Sequence, residues 1–172
     1  MGKLAIAKVS LPAGSLVAAL LPSFGDHADA FRARVDPASF PDVDAAMQAL
    51  FARDAPAWVA AAMRTRDAVV GTLFGLKTSR ELRDAPGRSS IFEVLDRSSQ
   101  EIILGEDDRH LDFRVSVLYE RSGHDAFVTV STIVRFNNTL GRAYFVPVRP
   151  VHKLVVPAMM RRVLAASPPP PT

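Results

Sequence analysis

The segment GEDDRHLD, residues 105–112, holds the densest set of side chains that could perform chemistry. Asp108, His110 and Asp112 are spaced by two, so in an extended chain all three would project from the same face. Two carboxylates beside an imidazole could hold a divalent cation or transfer protons. Gly and Asp also favour tight turns for conformational reasons alone, so the same residues predict the turn of a hairpin. The turn is the favoured interpretation, and His110 and Asp112 are the candidate catalytic pair.

The other histidines offer less. His152 follows Arg149 and Pro150 at the predicted start of the last helix. It could reach a cavity or a neighbouring carboxylate, but a hydrogen bond to loop backbone is the favoured interpretation. His27 and His124 lie in predicted turns, where we expect contact with solvent.

Several kinds of chemistry lack their motifs. The chain has no cysteine, which excludes disulfides, thiolate catalysis and cysteine-bound zinc. The Gly-x-Ser-x-Gly elbow, the phosphate-binding Walker loop, the His-Glu-x-x-His motif and the dinucleotide fingerprint are all missing. We therefore expect no metal and no cofactor. The net charge of +3 comes from scattered rather than clustered basic residues, which argues against nucleic-acid binding.

The N-terminal apolar runs are short. Lys8 interrupts the first, and Pro12 and Gly14 precede the second. Neither is typical of a secretory signal peptide, which is the less favoured alternative. No run approaches the ~20 apolar residues of a membrane-spanning helix. These features predict a cytoplasmic protein without a membrane span.

Hydrophobic periodicity predicts the order strand, helix pair, antiparallel meander and C-terminal helix. The 172 residues fit one domain over residues 1–166 and a disordered proline-rich tail over 167–172. The predicted strands are 28–36, 91–95, 101–104, 110–120, 127–136 and 142–148; the helix pair covers about 41–76, and the last helix begins at Pro150.

The last helix and the two longest strands define the predicted architecture. Strands 110–120 and 127–136 are joined by a short turn containing Gly123, as in an antiparallel hairpin. The helix carries an apolar stripe that we expect to bury against the concave face of the sheet. We therefore predict an α+β fold, with a curved antiparallel sheet wrapped around a long C-terminal helix. The stripe comprises Val151, Leu154, Val155, Ala158, Met159 and Val163.

Short motifs in a fixed order carry a family resemblance over about residues 10–165. They are Asp29-Ala30-Phe31, TLFGLK at 72–77, DRHLDFR at 108–114, LGR at 140–142 and PVHK at 150–153. With them the chain resembles the bacterial domain-of-unknown-function family 2867, within the START-like, polyketide-cyclase-like helix-grip (SRPBCC) superfamily. The resemblance implies a helix-grip fold with a cavity, but no catalytic residue can be carried over. Superfamily members are either passive carriers or enzymes, and related domains are attached to oxidoreductases resembling nucleotide-sugar epimerases.

Three functions follow from this fold. The leading hypothesis is binding of an apolar small molecule, such as a lipid, a polyketide or an isoprenoid-like compound, between the sheet and the last helix. The second is a cyclase or hydrolase that uses the same cavity. The third is a non-catalytic module that docks on an oxidoreductase partner, and a homodimer is also considered. The residues expected to line the cavity are Trp58, Phe113, Thr132, Phe136, Tyr144, His152, Val155 and Met159.

Overall fold

The computed structural model describes residues 6–51 and 92–166, which form six strands and three α-helices. The predicted second helix of the helix pair, with Trp58, and the tail 167–172 lie outside the described residues. In chain order the elements are β1 (Ala7–Val9), α1 (Leu16–Leu20) followed by a 3-10 turn (Leu21–Ser23), β2 (His27–Val35), α2 (Val43–Phe51), β3 (Glu93–Arg97), β4 (Glu101–Asp107), β5 (Leu111–Ser122), β6 (Asp125–Phe136) and α3 (Thr139–Ala166).

The six strands form one curved antiparallel sheet in the order β1-β2-β6-β5-β4-β3. Its centre is the predicted hairpin of β5 and β6, each 12 residues long. Ser122 pairs with Asp125, which leaves a two-residue turn of Gly123 and His124. Gly123 has a φ of 62°, which a hairpin turn of this length requires and glycine adopts without strain. The hairpin prediction is confirmed.

The concave face of the sheet carries the main core. Alternate residues of β2, β5 and β6 point to this face, including Phe31, Val117 and Val130. Helices α2 and α3 cover them. The predicted apolar stripe of α2 is confirmed, with Val43, Ala46, Met47 and Leu50 buried. A curved sheet that grips a long C-terminal helix is the predicted helix-grip architecture.

The convex face is covered by the N-terminal segment, where the sequence predicted no element. Helix α1 packs its buried Val17 against Ile103 and Ile133 of the sheet. The side chain of Glu101, a residue only 2% exposed, fixes this helix in place. Its Oε2 accepts the N–H of Leu16 at 2.6 Å, and its Oε1 accepts the N–H of Val17 at 3.1 Å. These N–H groups belong to the first turn of α1 and have no partner inside the helix. Glu101 of β4 therefore caps the N-terminus of α1.

The predicted strand 142–148 and the predicted helix start at Pro150 are wrong. Helix α3 begins at Thr139 and runs for 28 residues through Pro147, Pro150 and Pro157. The Oδ1 atom of Asn138 accepts the N–H of Gly141 at 3.0 Å and so caps the first turn. The wrong prediction has two causes. Apolar residues alternate over 142–148 as they do in a strand, and prolines normally interrupt helices. Tertiary packing along one face outweighs both signals.

The first turn of α3 lies directly against the turn between β4 and β5. A Cβ atom added to Gly141 would come within 1.9 Å of the carbonyl oxygen of His110. Only glycine permits this approach of two backbones. Because α3 is continuous from this contact onward, its rotation is fixed there and not at Pro150.

The predicted stripe of the last helix is therefore partly wrong. Leu154 is 63% exposed and Val151 is 40% exposed, whereas Met160 is 1% exposed. Val155 and Met159 are half-buried at the edge of the stripe. The buried face of the helix comprises Phe145, Val156, Met160, Val163 and Leu164. Within residues 6–51 and 92–166, no helix combines the length and apolarity needed to cross a membrane.

Candidate functional site

Strand β2 begins with two polar residues on its concave side. His27 and Asp29 occupy the same face as Phe31, two residues further along the strand. The side chain of Asp29 is only 2% exposed. A buried carboxylate must be paired or hydrogen-bonded, since burial without a partner is costly. Asp29 is therefore the residue around which a polar site at this end of the sheet is built.

Asp29 bridges two histidines. Its Oδ2 accepts a hydrogen bond from Nε2 of His27 at 3.2 Å, and its Oδ1 accepts one from Nε2 of His152 at 3.4 Å. His152 comes from α3, so it meets a carboxylate of the sheet, the less favoured of its two predicted contacts. The predicted turn position of His27 is wrong, because His27 starts β2 and its side chain is only 10% exposed. His124 does lie exposed in a turn.

The electrostatics of this group favour a carboxylate beside a neutral imidazole. Burial lowers the pKa of His27 below 6.5, against the opposing effect of Asp29. His152 and Arg149 lower the same pKa further by charge repulsion. Burial alone would raise the pKa of Asp29, but hydrogen bonds and charge interactions with the two histidines outweigh it, so the pKa lies below 3.8. At neutral pH Asp29 is thus ionised and His27 carries no charge.

A pocket of about 280 Å³ opens beside His27, between the end of the sheet and the N-terminal half of α3. The rings of His27 and Phe145 lie 4.9 Å apart, and those of Phe145 and Phe136 lie 5.3 Å apart. These rings form a continuous wall. The lining residues are Asp26, His27, Phe136, Arg142, Phe145, Val146 and Arg149.

The charged residues of the pocket are unevenly paired. Asp26 accepts the backbone N–H of Phe136 at 2.7 Å, and it lies 3.9 Å from Nη2 of Arg142. Arg149 forms no ion pair with any described residue. The pocket wall therefore has one more guanidinium than carboxylate, in addition to the neutral imidazole of His27.

The structure brings only some of the predicted cavity residues together. Phe136 lines the pocket, and His152 stands behind it through Asp29. Thr132 is buried and pairs in register with Asp29 on the neighbouring strand. Its hydroxyl has no hydrogen-bond partner among the described residues. Tyr144 is half-buried on the first turns of α3 and is not among the lining residues.

The remaining predicted cavity residues lie elsewhere. The ring of Phe113 meets that of Phe92 at 5.1 Å, away from the pocket, and Met159 packs against the main core. Val155 is half-buried on α3. Trp58 is outside the described residues. The sequence missed His27, Asp29, Phe145, Arg142 and Arg149, although two polar residues at alternate positions entering an otherwise apolar strand face were a usable signal.

His110 and Asp112 are buried in a different place. Nδ1 of His110 lies 3.1 Å from the side-chain amide of Asn138, the cap of α3. Asp112 pairs with Arg135 and accepts the side-chain N–H of Asn137 at 2.9 Å. The pair thus ties the β4–β5 turn to the junction between β6 and α3.

The turn itself falls at residues 108–110, because β4 extends to Asp107 and not only to Leu104. Neither His110 nor Asp112 lines the pocket at His27. Among the described residues, no group of three or more histidines and acids is placed to hold a metal ion.

Comparison with known protein families gives a match that covers most of the chain. No curated protein and no solved structure matches the chain. Residues 24–159, more than half of its length, match the protein family of unknown function DUF2867. The matched region contains every residue of the pocket and of the Asp29 group, and the chain belongs to this family.

Proposed function

We propose that the protein binds a small molecule with an apolar body and one anionic group, in the pocket between the sheet and the N-terminal half of α3. The observation that carries this proposal is the composition of the pocket wall. Phe136, Phe145 and Val146 offer an apolar surface, and Arg142 and Arg149 stand beside it. Small-molecule sites commonly combine an apolar lining with a few convergent polar groups.

The volume limits the ligand. The volume of about 280 Å³ lies just below the range of about 300–1,000 Å³ that is usual for small-molecule pockets. The space further along α3 is filled by buried side chains such as Val130, Val156 and Met160. The site therefore suits a compact molecule, about the size of one ring with a short side chain, better than a long-chain lipid.

The charges favour an anion. Asp26 already accepts a backbone N–H and lies near Arg142, which leaves Arg149 as the guanidinium without a carboxylate among the described residues. Guanidinium groups bind carboxylates with two parallel hydrogen bonds, which gives both affinity and orientation. A carboxylate on the ligand would supply the missing partner.

The resemblance to the START-like superfamily adds support. Its members often use the space between the sheet and the last helix for ligands, and the pocket lies in that space. Membership of this superfamily is part of the proposal, as is the ligand itself.

The test uses 3-phenylpropionate as a probe, with calorimetric titration as the measurement. Arg149→Gln should weaken binding by about tenfold or more, because a charge-assisted hydrogen bond is lost. Arg161→Gln is the matched control, since Arg161 is exposed on the same helix away from the pocket. The neutral analogue 3-phenylpropan-1-ol should bind more weakly than the acid. Equal binding of acid and alcohol, or no binding of either, would refute the proposal.

A docking function is the second candidate, because α3 exposes large apolar side chains. Val146, Val151 and Leu154 are 69%, 40% and 63% exposed. Burial of these side chains against a partner would remove apolar surface from water, which favours association. Light scattering with size-exclusion chromatography tests for a homodimer. A dimer that Leu154→Asp converts to a monomer would favour this candidate, and a monomer at all concentrations would count against self-association.

A further inference from the structure

The pocket contains a base whose orientation is already fixed. Nε2 of His27 is occupied by its hydrogen bond to Asp29, so Nδ1 is the ring nitrogen left to meet a ligand. The 4.9 Å ring contact with Phe145 holds the imidazole from the other side. A carboxylate that accepts Nε2–H selects the tautomer in which Nδ1 carries the lone pair. A histidine held in this way by a buried carboxylate has the arrangement of a general base.

We propose that His27 is a catalytic base that removes a proton from a carbon next to a carbonyl group, in a small carboxylate bound to this pocket. This inference rests on the proposed function, since it needs the ligand to occupy the same site. The reaction class is proton-shift isomerisation, with enolisation as its first step. Asp29 acts as a positioning residue, because it orients His27 without facing the pocket.

The step balances without any co-reactant. The Nδ1 lone pair takes the proton, and the electron pair of the C–H bond forms a carbon–carbon double bond to the carbonyl carbon. The carbonyl π pair moves to its oxygen, which becomes an enolate. Arg142 stabilises this developing charge, as preorganised cations do, while Arg149 holds the carboxylate of the ligand. Return of the proton from Nδ1 to either carbon or oxygen regenerates neutral His27.

The surroundings of His27 determine how the reaction depends on pH. Asp29 and His152 contact it or lie next to it, Asp26 shares the pocket wall, and Arg142 and Arg149 approach from α3. From β6 it faces apolar residues, including Phe136. Burial and the nearby cations keep the pKa of His27 below 6.5, so the base form is present at neutral pH. The rate should rise with pH to a plateau whose midpoint lies below pH 6.5.

The experiment follows hydrogen exchange at C3 of phenylpyruvate in heavy water by proton NMR. This probe has a ring for the aromatic wall, a carboxylate for the arginines and a carbon acid for His27. The protein should accelerate the exchange, and His27→Gln should lower the accelerated rate by about a hundredfold or more. His124→Gln is the control, because His124 is an exposed histidine outside the pocket.

Two further measurements separate catalysis from folding and from binding. His27→Gln should keep the circular dichroism spectrum, and its affinity for 3-phenylpropionate should fall by far less than its exchange rate. Asp29→Asn should shift the midpoint of the pH–rate profile to lower pH, since Asp29 raises the pKa of His27. A purely structural role of Asp29 would reduce the rate without moving that midpoint.

The outcomes for binding and catalysis are distinct. Binding of 3-phenylpropionate with an exchange rate equal to that of His27→Gln would overturn the inference and leave the proposed function intact. An unchanged midpoint in Asp29→Asn would overturn the role assigned to Asp29. Failure of both probes to bind would remove the proposed function, and the inference with it.

Discussion

Replacing the buried Glu101 by alanine should be one of the most destabilising single changes on the convex side of the sheet. Its carboxylate accepts the N–H groups of Leu16 and Val17 and, at 2.5 Å, the hydroxyl of Ser116. Alanine removes all three acceptor contacts. The serine hydroxyl can rotate to another partner, but the two backbone donors cannot. The buried Val17 donor left without a partner costs about 1–3 kcal/mol, and the partly buried Leu16 donor costs less, so the expected loss is about 2–4 kcal/mol.

Urea unfolding followed by circular dichroism measures this loss. Glu101→Gln should cost less than Glu101→Ala, because one acceptor oxygen and the side-chain volume are kept. Asp44→Ala is the matched control, since Asp44 also sits at a helix start but is half-exposed and paired with Arg97. Such surface pairs contribute about 0–1 kcal/mol. If Glu101→Ala cost no more than Asp44→Ala, the carboxylate would not be what holds α1 on the sheet.

Three further predictions concern α3 and the Asp29 group. Gly141→Ala should destabilise the fold by about 1–3 kcal/mol, because its Cβ would overlap the backbone of the β4–β5 turn; Gly25→Ala, whose nearest atom would be 3.8 Å away, should change unfolding midpoints little. In urea unfolding, Met160→Ala should lower the free energy of unfolding by about 2–5 kcal/mol, because Met160 is buried. Leu154→Ala should lower it by under about 0.5 kcal/mol, because Leu154 is exposed. The reverse order would show that a different face of α3 is buried. The pKa of His27 is lower in the folded than in the unfolded chain, so unfolding takes up a proton as the pH falls through 6.5. The free energy of unfolding should therefore reach its full value above pH 6.5 and should decline below it. Stability measured across this range should decline less in His27→Gln, and an identical pH dependence would contradict the shift.

All strands of the sheet except β1 could be predicted from the sequence, because their signals are local. In β5 and β6 the apolar residues alternate over a long stretch, and Gly123 marks the turn between them. The helical stripe of α2, from Val43 to Leu50, is equally regular. In these segments local pattern and tertiary packing require the same structure.

The start of α3 could not be predicted because local and tertiary signals disagree. Pro147 and Pro150 argue against a helix, and the residues around them alternate like a strand. What decides the outcome is non-local: Asn138 caps the helix and Gly141 meets the backbone of His110. Such a contact between distant segments leaves no periodic trace in the sequence.

The candidate site was also predicted only where its signals are local in the sequence. Phe136 and His152 were singled out from the sequence, but the carboxylate that His152 meets lies 123 positions away on β2. The acidic segment around His110 was predicted as a candidate site because its residues are close together in the sequence. The group around Asp29 is assembled from both ends of the fold, so composition and spacing do not reveal it.

The prolines of α3 give the two halves of this helix different resistance to local opening. Pro147 and Pro150 carry no N–H, so the carbonyl groups four residues earlier, those of Ala143 and Val146, lose their usual donors. The half that borders the pocket lacks two such bonds, whereas the half with the buried Met160 lacks one, at Pro157. Amide hydrogens near Val146 should exchange with solvent through brief partial unfolding. Those near Met160 should exchange only through global unfolding. Entry and release of the proposed ligand can then proceed at the rate of this partial opening, without loss of the folded core.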